Sequence, residues 1–137
     1  MIIGSMMLAL VHIMFALPSV NSAFAVVLMI TLGIAFSLVP SAMWPSVPKI
    51  IPMKQLGSAY AIIFYIQNIG LSMVPILIGN VLQADTVEAA DGTKTMDFTN
   101  AMWIFATFGI AAVVLSVVLR ILDGKKHYGL EEANSKK

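Results

Sequence analysis

Long apolar segments alternate with short polar stretches along the whole chain. The apolar segments cover about residues 1–17, 23–47, 57–82 and 101–122. A helix needs about 20 mainly apolar residues to cross a hydrocarbon core roughly 30 Å thick. In lipid, the backbone N–H and C=O groups must form their hydrogen bonds within the helix itself. The pattern therefore predicts an all-α membrane protein with four transmembrane helices in residues 1–123, followed by a charged tail in residues 124–137.

Prolines and polar turns mark the expected ends of these helices. The first segment stops at Pro18 and is barely long enough to span, while the second contains Pro40, Pro45 and Pro48. Because proline fixes φ and cannot donate a backbone hydrogen bond, we expect these prolines to kink or break the second helix and to mark its end. A membrane helix tolerates such a break only where neighbouring groups satisfy the freed carbonyls.

The third and fourth segments are joined by the longest polar stretch, residues 83–100. It contains several acidic residues around the sequence Asp91-Gly92-Thr93, which is typical of a turn. We predict an aqueous loop here. The chain is apolar from its first residues and lacks the charged start of a signal peptide. This start leaves two alternatives open: a fragment whose upstream part is missing, or a chain that is complete as it stands.

Composition excludes several classes of protein. Only 11% of the residues are charged and 59% are hydrophobic, whereas soluble chains are about a quarter charged, so the polar residues are too few to cover a water-facing surface. A net charge of +1 with eight basic residues excludes a nucleic-acid binder that works through a basic surface. The absence of cysteine removes disulfide frameworks and thiolate metal sites.

Lysine and arginine collect on one side of the predicted bundle. With four spans, the second-to-third connection and the C-terminus share a face, and the basic residues of that face are Lys49, Lys54, Arg120, Lys125, Lys126, Lys136 and Lys137. The opposite face carries only Lys94. Because basic residues near span ends concentrate in the cytoplasm, we predict an integral multi-pass membrane protein with a cytoplasmic C-terminus.

Small residues recur along the second segment. Gly33, Ser37 and Ser41 are four residues apart and therefore lie on one helix face. One interpretation is close packing of the small-xxx-small kind against another helix. The other interpretation extends this face through Trp44 and Pro48 as the lining of a solute path.

The third segment carries amides in the middle of the membrane. Tyr60, Phe64, Gln67 and Leu71 share a helix face, and Asn68 lies beside them. Polar side chains in lipid are costly and need partners. Gln67 and Asn68 either hydrogen-bond neighbouring helices or, with Tyr60, offer donors, acceptors and aromatic surface to a polar solute.

The remaining candidates for chemistry are weak. Gly57, Gly70 and Gly79 are interpreted as close-packing positions, since no glycine-rich loop after a strand suggests a phosphate site. Apart from Arg120 near the end of the fourth segment, His12 is the only histidine, acidic or basic residue within the spans, and it either takes part in proton coupling or makes one interhelical hydrogen bond. No catalytic grouping, metal-ligand cluster or ATP-binding motif is found, so we expect no enzyme activity and no cofactor.

Three motifs carry a resemblance to a known family. They are Ser41-Ala42-Met43-Trp44-Pro45-Ser46-Val47-Pro48, Gln55-Leu56-Gly57-Ser58-Ala59-Tyr60-Ala61 and Ile66-Gln67-Asn68-Ile69-Gly70-Leu71. Together they resemble the C-terminal part of major facilitator superfamily transporters, in particular the branch that contains the lysosomal dipeptide transporter and its bacterial relatives. The resemblance covers roughly residues 1–123 and implies that the four spans correspond to helices nine to twelve of a twelve-helix fold.

The resemblance also implies a function. Two six-helix halves would alternate access to a site near the bilayer midplane, and helices ten and eleven would line it. This favours Ser41, Trp44, Tyr60, Gln67 and Asn68 as substrate-binding residues of a secondary transporter for a small organic solute, with a peptide as the first candidate. We then expect a missing N-terminal transporter half as partner, besides the lipid bilayer and the solute, and a bacterial inner membrane as location.

A different class of function is also compatible with the sequence. The chain would then be a small four-helix membrane scaffold or accessory subunit that binds a partner through the Gly33, Ser37 and Ser41 face. A homo-oligomeric channel is disfavoured, because no span shows a polar stripe from end to end.

Overall fold

The computed structural model describes residues 1–18, 20–88, 92–130 and 132. The described elements are α1 (Ile2–Phe15), α2 (Ser22–Ile50), a 3₁₀ turn (Met53–Gln55), α3 (Leu56–Ala84), β1 (Thr86–Glu88), β2 (Lys94–Met96) and α4 (Thr99–Lys126). Helices make up most of the chain, and α2, α4 and the segment Met53–Ala84 are long and apolar enough to cross a membrane. The predicted all-α membrane fold is confirmed.

The first helix differs in length from the other three. With 14 residues, α1 is about 21 Å long at 1.5 Å per residue, which is shorter than the hydrocarbon core. Its composition is nevertheless strongly apolar. Helix α1 therefore owes its place in the fold to its contacts with the longer helices.

Helix α2 runs without a break through all three of its prolines. It begins at the N-cap Asn21, whose side-chain oxygen accepts a hydrogen bond of 2.8 Å from Phe24 N, and it ends at Ile50. The expectation that Pro40, Pro45 or Pro48 breaks or ends this helix is wrong. The helix ends at Ile50, two residues after Pro48, and Ile51 is extended. Ile51 precedes Pro52, and the residue before a proline disfavours helical geometry.

Helix α1 packs between α2 and α4 through small residues. A Cβ added at Gly4 would lie 3.0 Å from Leu38 Cβ of α2, and a Cβ added at Gly109 would lie 2.7 Å from Ala9 Cα of α1. The buried hydroxyls of Ser5 and Ser116 are 3.1 Å apart and link α1 to α4. Close backbone approach and an interhelical hydrogen bond therefore hold these helices together, as is usual in membranes.

Helix α3 lies at the edge of this group. None of its 29 residues is buried. It meets α2 through an aromatic cluster and approaches α4 where Asn100 Nδ2 donates to Asp85 Oδ2 over 3.0 Å. Most of its apolar surface is left uncovered by the described chain.

The predicted aqueous loop between the third and fourth helices is largely structured. Helix α3 continues to Ala84, and β1 pairs antiparallel with β2 so that Glu88 lies opposite Lys94. Their charged groups are 3.9 Å apart and exposed, so this pair adds little stability. Gly92 has φ of +81°, as a turn glycine should, whereas Asp91 of the predicted turn lies outside the described residues.

Candidate solute-binding face

The five predicted substrate-binding residues lie on two neighbouring helices, but the structure brings only some of them together. Ser41 and Trp44 belong to α2, whereas Tyr60, Gln67 and Asn68 belong to α3. Trp44 contacts Tyr60 directly. Gln67 is seven residues beyond Tyr60 on the same helix, so it lies about 10 Å further along the helix axis.

An aromatic cluster joins the two helices. The Trp44 ring lies 5.7 Å from the Tyr60 ring at 40° and 5.0 Å from the Phe64 ring at 29°. Aromatic pairs at such distances stabilise by more than their buried area alone. Phe64 was not among the predicted site residues, although its position one helical turn after Tyr60 was a signal that an aromatic pair faces α2.

Proline chemistry explains one further contact of Tyr60. Because Pro48 has no N–H, the carbonyl of Trp44, four residues earlier, loses its helical partner. The Tyr60 hydroxyl donates to this oxygen over 3.3 Å, which is long for a hydroxyl donor. A side chain of α3 thus satisfies a carbonyl of α2 that the proline leaves open, which helps α2 to continue past Pro48.

Ser41 lies on an open face of α2 with the other small residues. Its hydroxyl donates to Leu38 O within the same helix over 3.1 Å. Gly33, Ser37 and Ser41 line a surface groove of about 530 Å³, and a Cβ added at Gly33 would meet nothing within 4 Å. The described chain therefore does not use this face for close packing.

The glycines of α3 are not close-packing positions within the described chain either. Added Cβ atoms at Gly57, Gly70 and Gly79 would also meet nothing within 4 Å. Within the described residues, the glycines at helix contacts are Gly4 and Gly109 instead. Sequence spacing identified residues that permit close packing, but it did not reveal which of them have a neighbour.

The two amides of α3 are exposed, and neither makes a hydrogen bond to another helix among the described residues. Asn68 Nδ2 donates to Phe64 O of its own helix over 2.8 Å. Gln67 makes no side-chain hydrogen bond with any described residue. Interhelical hydrogen bonding, the structural interpretation of these amides, is therefore not seen in the described part of the chain, so in a bilayer both groups need water, a solute or a further helix beside them.

His12 is placed between helices without an interhelical hydrogen bond. Its Nδ1 lies 2.7 Å from Leu8 O of its own helix, and its ring is 5.3 Å from the Phe105 ring of α4. No group of three or more His, Asp or Glu side chains that could hold a metal ion occurs among the described residues. Among the described residues, His12 therefore packs against α4 through Phe105 and makes its hydrogen bond within α1.

A second polar region lies where α2 and α4 end, on the predicted basic face, although the sequence did not indicate its contacts. Lys49 Nζ donates to Gly129 O over 2.8 Å and to Glu132 O over 2.6 Å. The end of α2 and the segment after α4 are thus in contact, at the opposite end of α3 and α4 from the hairpin with Lys94. Lys136 and Lys137, which belong to the predicted basic face, lie outside the described residues.

Comparison with known proteins gives one group of relatives. No family model matches the chain, and no solved structure matches it. The lysosomal dipeptide transporter of Gallus gallus is 42% identical over 71 residues, which is 52% of this chain and 15% of the relative. The protein of the same name from Bos taurus is 41% identical over 71 residues, and that from Homo sapiens is 38% identical over 73 residues, or 53% of this chain and 15% of the relative.

These relatives agree with the resemblance carried by the motifs. The chain spans about 15% of the length of the curated relatives it matches. Each of these relatives is named as a transporter. The predicted resemblance is confirmed over about half of the chain: along 71 to 73 residues this multi-pass membrane chain is similar to a segment of lysosomal dipeptide transporters. The predicted extent over residues 1–123 is larger than these matches.

Proposed function

We propose that this chain is part of a major facilitator transporter that moves a small organic solute across a membrane by alternating access, with a peptide as the leading candidate. The observation that carries the proposal is the similarity of about 40% over half of the chain to proteins named as dipeptide transporters. In such a transporter the chain would supply the last four helices, and the preceding eight, including the whole N-terminal half, would complete the pathway.

The open face of α3 supports a solute-lining role. A carboxamide in hydrocarbon without a hydrogen-bond partner costs several kcal/mol on alkane-based transfer scales, about 4 to 8 for an amide-like group. Gln67 has no such partner in the described chain, and Asn68 uses one donor on its own helix. A water-filled path would remove this cost and would let both amides meet the backbone groups of a peptide.

The aromatic cluster suits a wall of the same path. Trp44, Tyr60 and Phe64 are half-buried or exposed and give α2 and α3 a shared apolar surface beside the amides. Solute sites commonly combine aromatic side chains with a few placed polar groups. In this proposal Trp44 contacts the solute, while Tyr60 also fixes the end of α2.

The distribution of charge supports the proposed orientation. The contact of Lys49 with Gly129 and Glu132 puts the basic ends of α2 and α4 together. Basic residues favour the cytoplasmic side, so the C-terminus would be cytoplasmic and the hairpin with Lys94 would be outside. A bacterial inner membrane remains the predicted location, whereas the curated relatives are named as lysosomal proteins.

Uptake in proteoliposomes tests the proposal. The complete reading frame that contains the chain is reconstituted, and uptake of a mixed dipeptide pool is followed with and without an inward proton gradient. Gln67→Ala and Trp44→Ala should each lower uptake about tenfold or more, as expected when placed polar or aromatic contacts are removed from a site.

The matched control is Tyr65→Ala. Tyr65 is also exposed on α3 but lies about 200° around the helix from Gln67, at 100° per residue. It should leave uptake unchanged. No dipeptide uptake by the folded protein removes peptides as the solute, and normal uptake by both variants removes Gln67 and Trp44 from the site.

One observation favours the second candidate, a scaffold or accessory subunit. The groove along Gly33, Ser37 and Ser41 is uncovered, and small residues allow a partner helix to approach closely. A scaffold predicts that Gly33→Leu reduces the mass of the assembly in detergent, measured by light scattering, and that no assembly containing the chain takes up solute.

A further inference from the structure

The segment that follows α4 folds back over one end of a cavity. We propose that this segment, residues 127–130 and 132, here called the tail strap, is a lid on the cavity between α1, α2 and α4, and that Lys49 holds the lid closed. The proposal concerns access to the cavity and holds whichever solute the protein moves.

Two residues in left-handed conformation reverse the chain after α4. His127 has φ of +53° and Gly129 has φ of +69°. The first is the C-cap of α4, whose N–H donates to Asp123 O, and such a residue commonly ends a helix and turns the chain. The tail strap therefore leaves α4 in a direction that returns it toward the bundle instead of continuing along the helix axis.

Lys49 of α2 fixes the returning segment at two carbonyls. Its ammonium group donates to Gly129 O over 2.8 Å and to Glu132 O over 2.6 Å. Hydrogen bonds with an ionised donor are about twice as strong as neutral ones. From α4, the Asp123 carboxylate accepts the Leu130 N–H at 3.2 and 3.3 Å, so the tail strap is held from both helices.

The tail strap forms part of the wall of a cavity of about 470 Å³. Its lining comes from the strap and from α1, α2 and α4, and includes Leu130, Glu132, Ile2, Pro45, Ser46 and Ser116. Ser41, one of the proposed solute-binding residues, is also part of this lining. Opening the strap would therefore give water and solute a route to the Ser41 side of α2.

The contacts that close the strap are of a kind that can reopen. They consist of hydrogen bonds at partly exposed groups, with Leu130 the one large apolar residue of the strap at the cavity. Segments with few buried contacts open at low free-energy cost compared with the packed helices. Lys49 carries two of these bonds, so its removal should shift the strap toward the open state.

Thiol labelling tests the proposal, because the chain contains no cysteine. The Ser46→Cys variant of the full chain is solubilised in detergent, and its reaction with N-ethylmaleimide is followed by mass spectrometry. Adding Lys49→Met should raise the labelling rate about tenfold or more, since two charge-assisted hydrogen bonds are lost. Loss of a nearby cation disfavours the reactive thiolate, so this increase cannot come from a change in the thiol itself.

Two controls separate opening of the strap from loss of the fold. Lys54→Met, which removes an exposed lysine at the same end, should leave the rate unchanged. Ala106→Cys, at a fully buried position of α4, should stay unlabelled in the presence of Lys49→Met. A chain ending at Lys126 should label at Ser46→Cys as fast as the Lys49→Met variant, and Lys49→Met should add nothing in that shorter chain.

Three results would overturn the proposal. The first is an unchanged rate in Lys49→Met. The second is an unchanged labelling rate of Ser46→Cys in the chain that ends at Lys126. This shorter chain also tests the lid if Lys49→Met disturbs the fold and makes Ala106→Cys reactive. The third is an equal effect of Lys49→Met with and without the tail strap, which would make Lys49 a residue that stabilises α2 alone.

Discussion

Helices α1 and α3 are both apolar, α1 more strongly than α3, but their surroundings are opposite. Helix α1 has only 14 residues, and four of them are buried, including Ser5 at 0% exposure. Helix α3 has 29 residues, and none of them is buried. In a membrane, apolar side chains gain little by leaving lipid for protein, so apolar composition does not decide which helix packs.

The residues at the contacts account for the difference. Helix α1 meets its neighbours through Gly4, Ser5 and Ala9, which allow the backbones to approach. Helix α3 has glycines as well, but bulky side chains such as Phe64 and Trp44 mediate its contact with α2. The comparison indicates that α1 is fixed within this chain, whereas α3 presents its surface to something outside it.

The largest expected effect comes from filling the α1–α4 contact. Gly109→Ala places a Cβ 2.7 Å from Ala9 Cα and 2.9 Å from Ala9 N, and backbone atoms cannot move aside easily. The free energy of unfolding should fall by about 2 to 3 kcal/mol, the usual cost of overpacking. Unfolding by SDS, followed by circular dichroism, measures this change.

Gly70→Ala on α3 is the matched control for that change. No atom lies within 4 Å of the added Cβ, so the variant should be unchanged or more stable by up to about 1 kcal/mol through helix propensity. Equal destabilisation by both substitutions would show that α3 is as tightly packed as α1.

A smaller effect is expected from the buried hydroxyl pair. Ser116→Ala removes the bond to Ser5 Oγ, while Ser5 keeps its bond of 3.1 Å to Met1 O. The cost should be about 0.6 kcal/mol, the average for such bonds in a membrane protein. Ser72→Ala on the exposed face of α3 should cost nothing in the same assay, and a cost as large as that of Ser116→Ala would contradict the comparison.

The contact between α2 and α3 should be weaker still. Tyr60→Phe keeps the ring next to Trp44 but removes the donor to Trp44 O, and at 3.3 Å the loss should be about 0.5 kcal/mol. In a Pro48→Ala background the backbone N–H satisfies Trp44 O, so Tyr60→Phe should then cost less. An equal loss of stability in both backgrounds would show that the Tyr60 hydroxyl does not compensate for the N–H that Pro48 lacks.

The smallest effect concerns the exposed start of α4. A hydrogen bond from the Thr99 side chain, followed by one from its backbone N–H at 2.9 Å, lowers the pKa of Asp97 below its usual value. The carboxylate therefore stabilises the first turn of α4 above the unfolded-state pKa, and this contribution is lost as the pH falls through the lower folded-state pKa. In an NMR titration, Thr99→Ala should move the pKa of Asp97 back toward its ordinary value, and an unchanged pKa would contradict this cause.

The sequence predicted the fold well, but it predicted the contacts between side chains poorly. Hydrophobic segments of sufficient length identified the helices, because spanning lipid imposes a length and an apolar composition. The prediction that the prolines break α2 was wrong, because whether a proline breaks a helix depends on partners such as Tyr60 that come from another element. Phe64 and the contact of Lys49 with residues 129 and 132 were missed for the same reason.

The candidate site was predicted as a set of residue types on two helices. Helical periodicity correctly placed Tyr60 and Gln67 on one face, but it could not show that Trp44 packs on Tyr60 or that Gln67 has no hydrogen-bond partner among the described residues. Glycine spacing was equally uninformative about neighbours, because Gly33 and Gly109 look alike in sequence and differ only in what lies beside them.

The central claim is that the face of α3 that carries Gln67 and Asn68, here called the amide face, borders a water-accessible path. Gln67→Cys and Tyr65→Cys, on opposite faces of α3, are introduced into the complete protein in proteoliposomes and treated with a membrane-impermeant thiol reagent. The account predicts that Gln67→Cys reacts and is protected by dipeptide, while Tyr65→Cys does not react. If Gln67→Cys is as unreactive as Tyr65→Cys, the amide face lies in lipid or against another helix, and the proposed path is wrong.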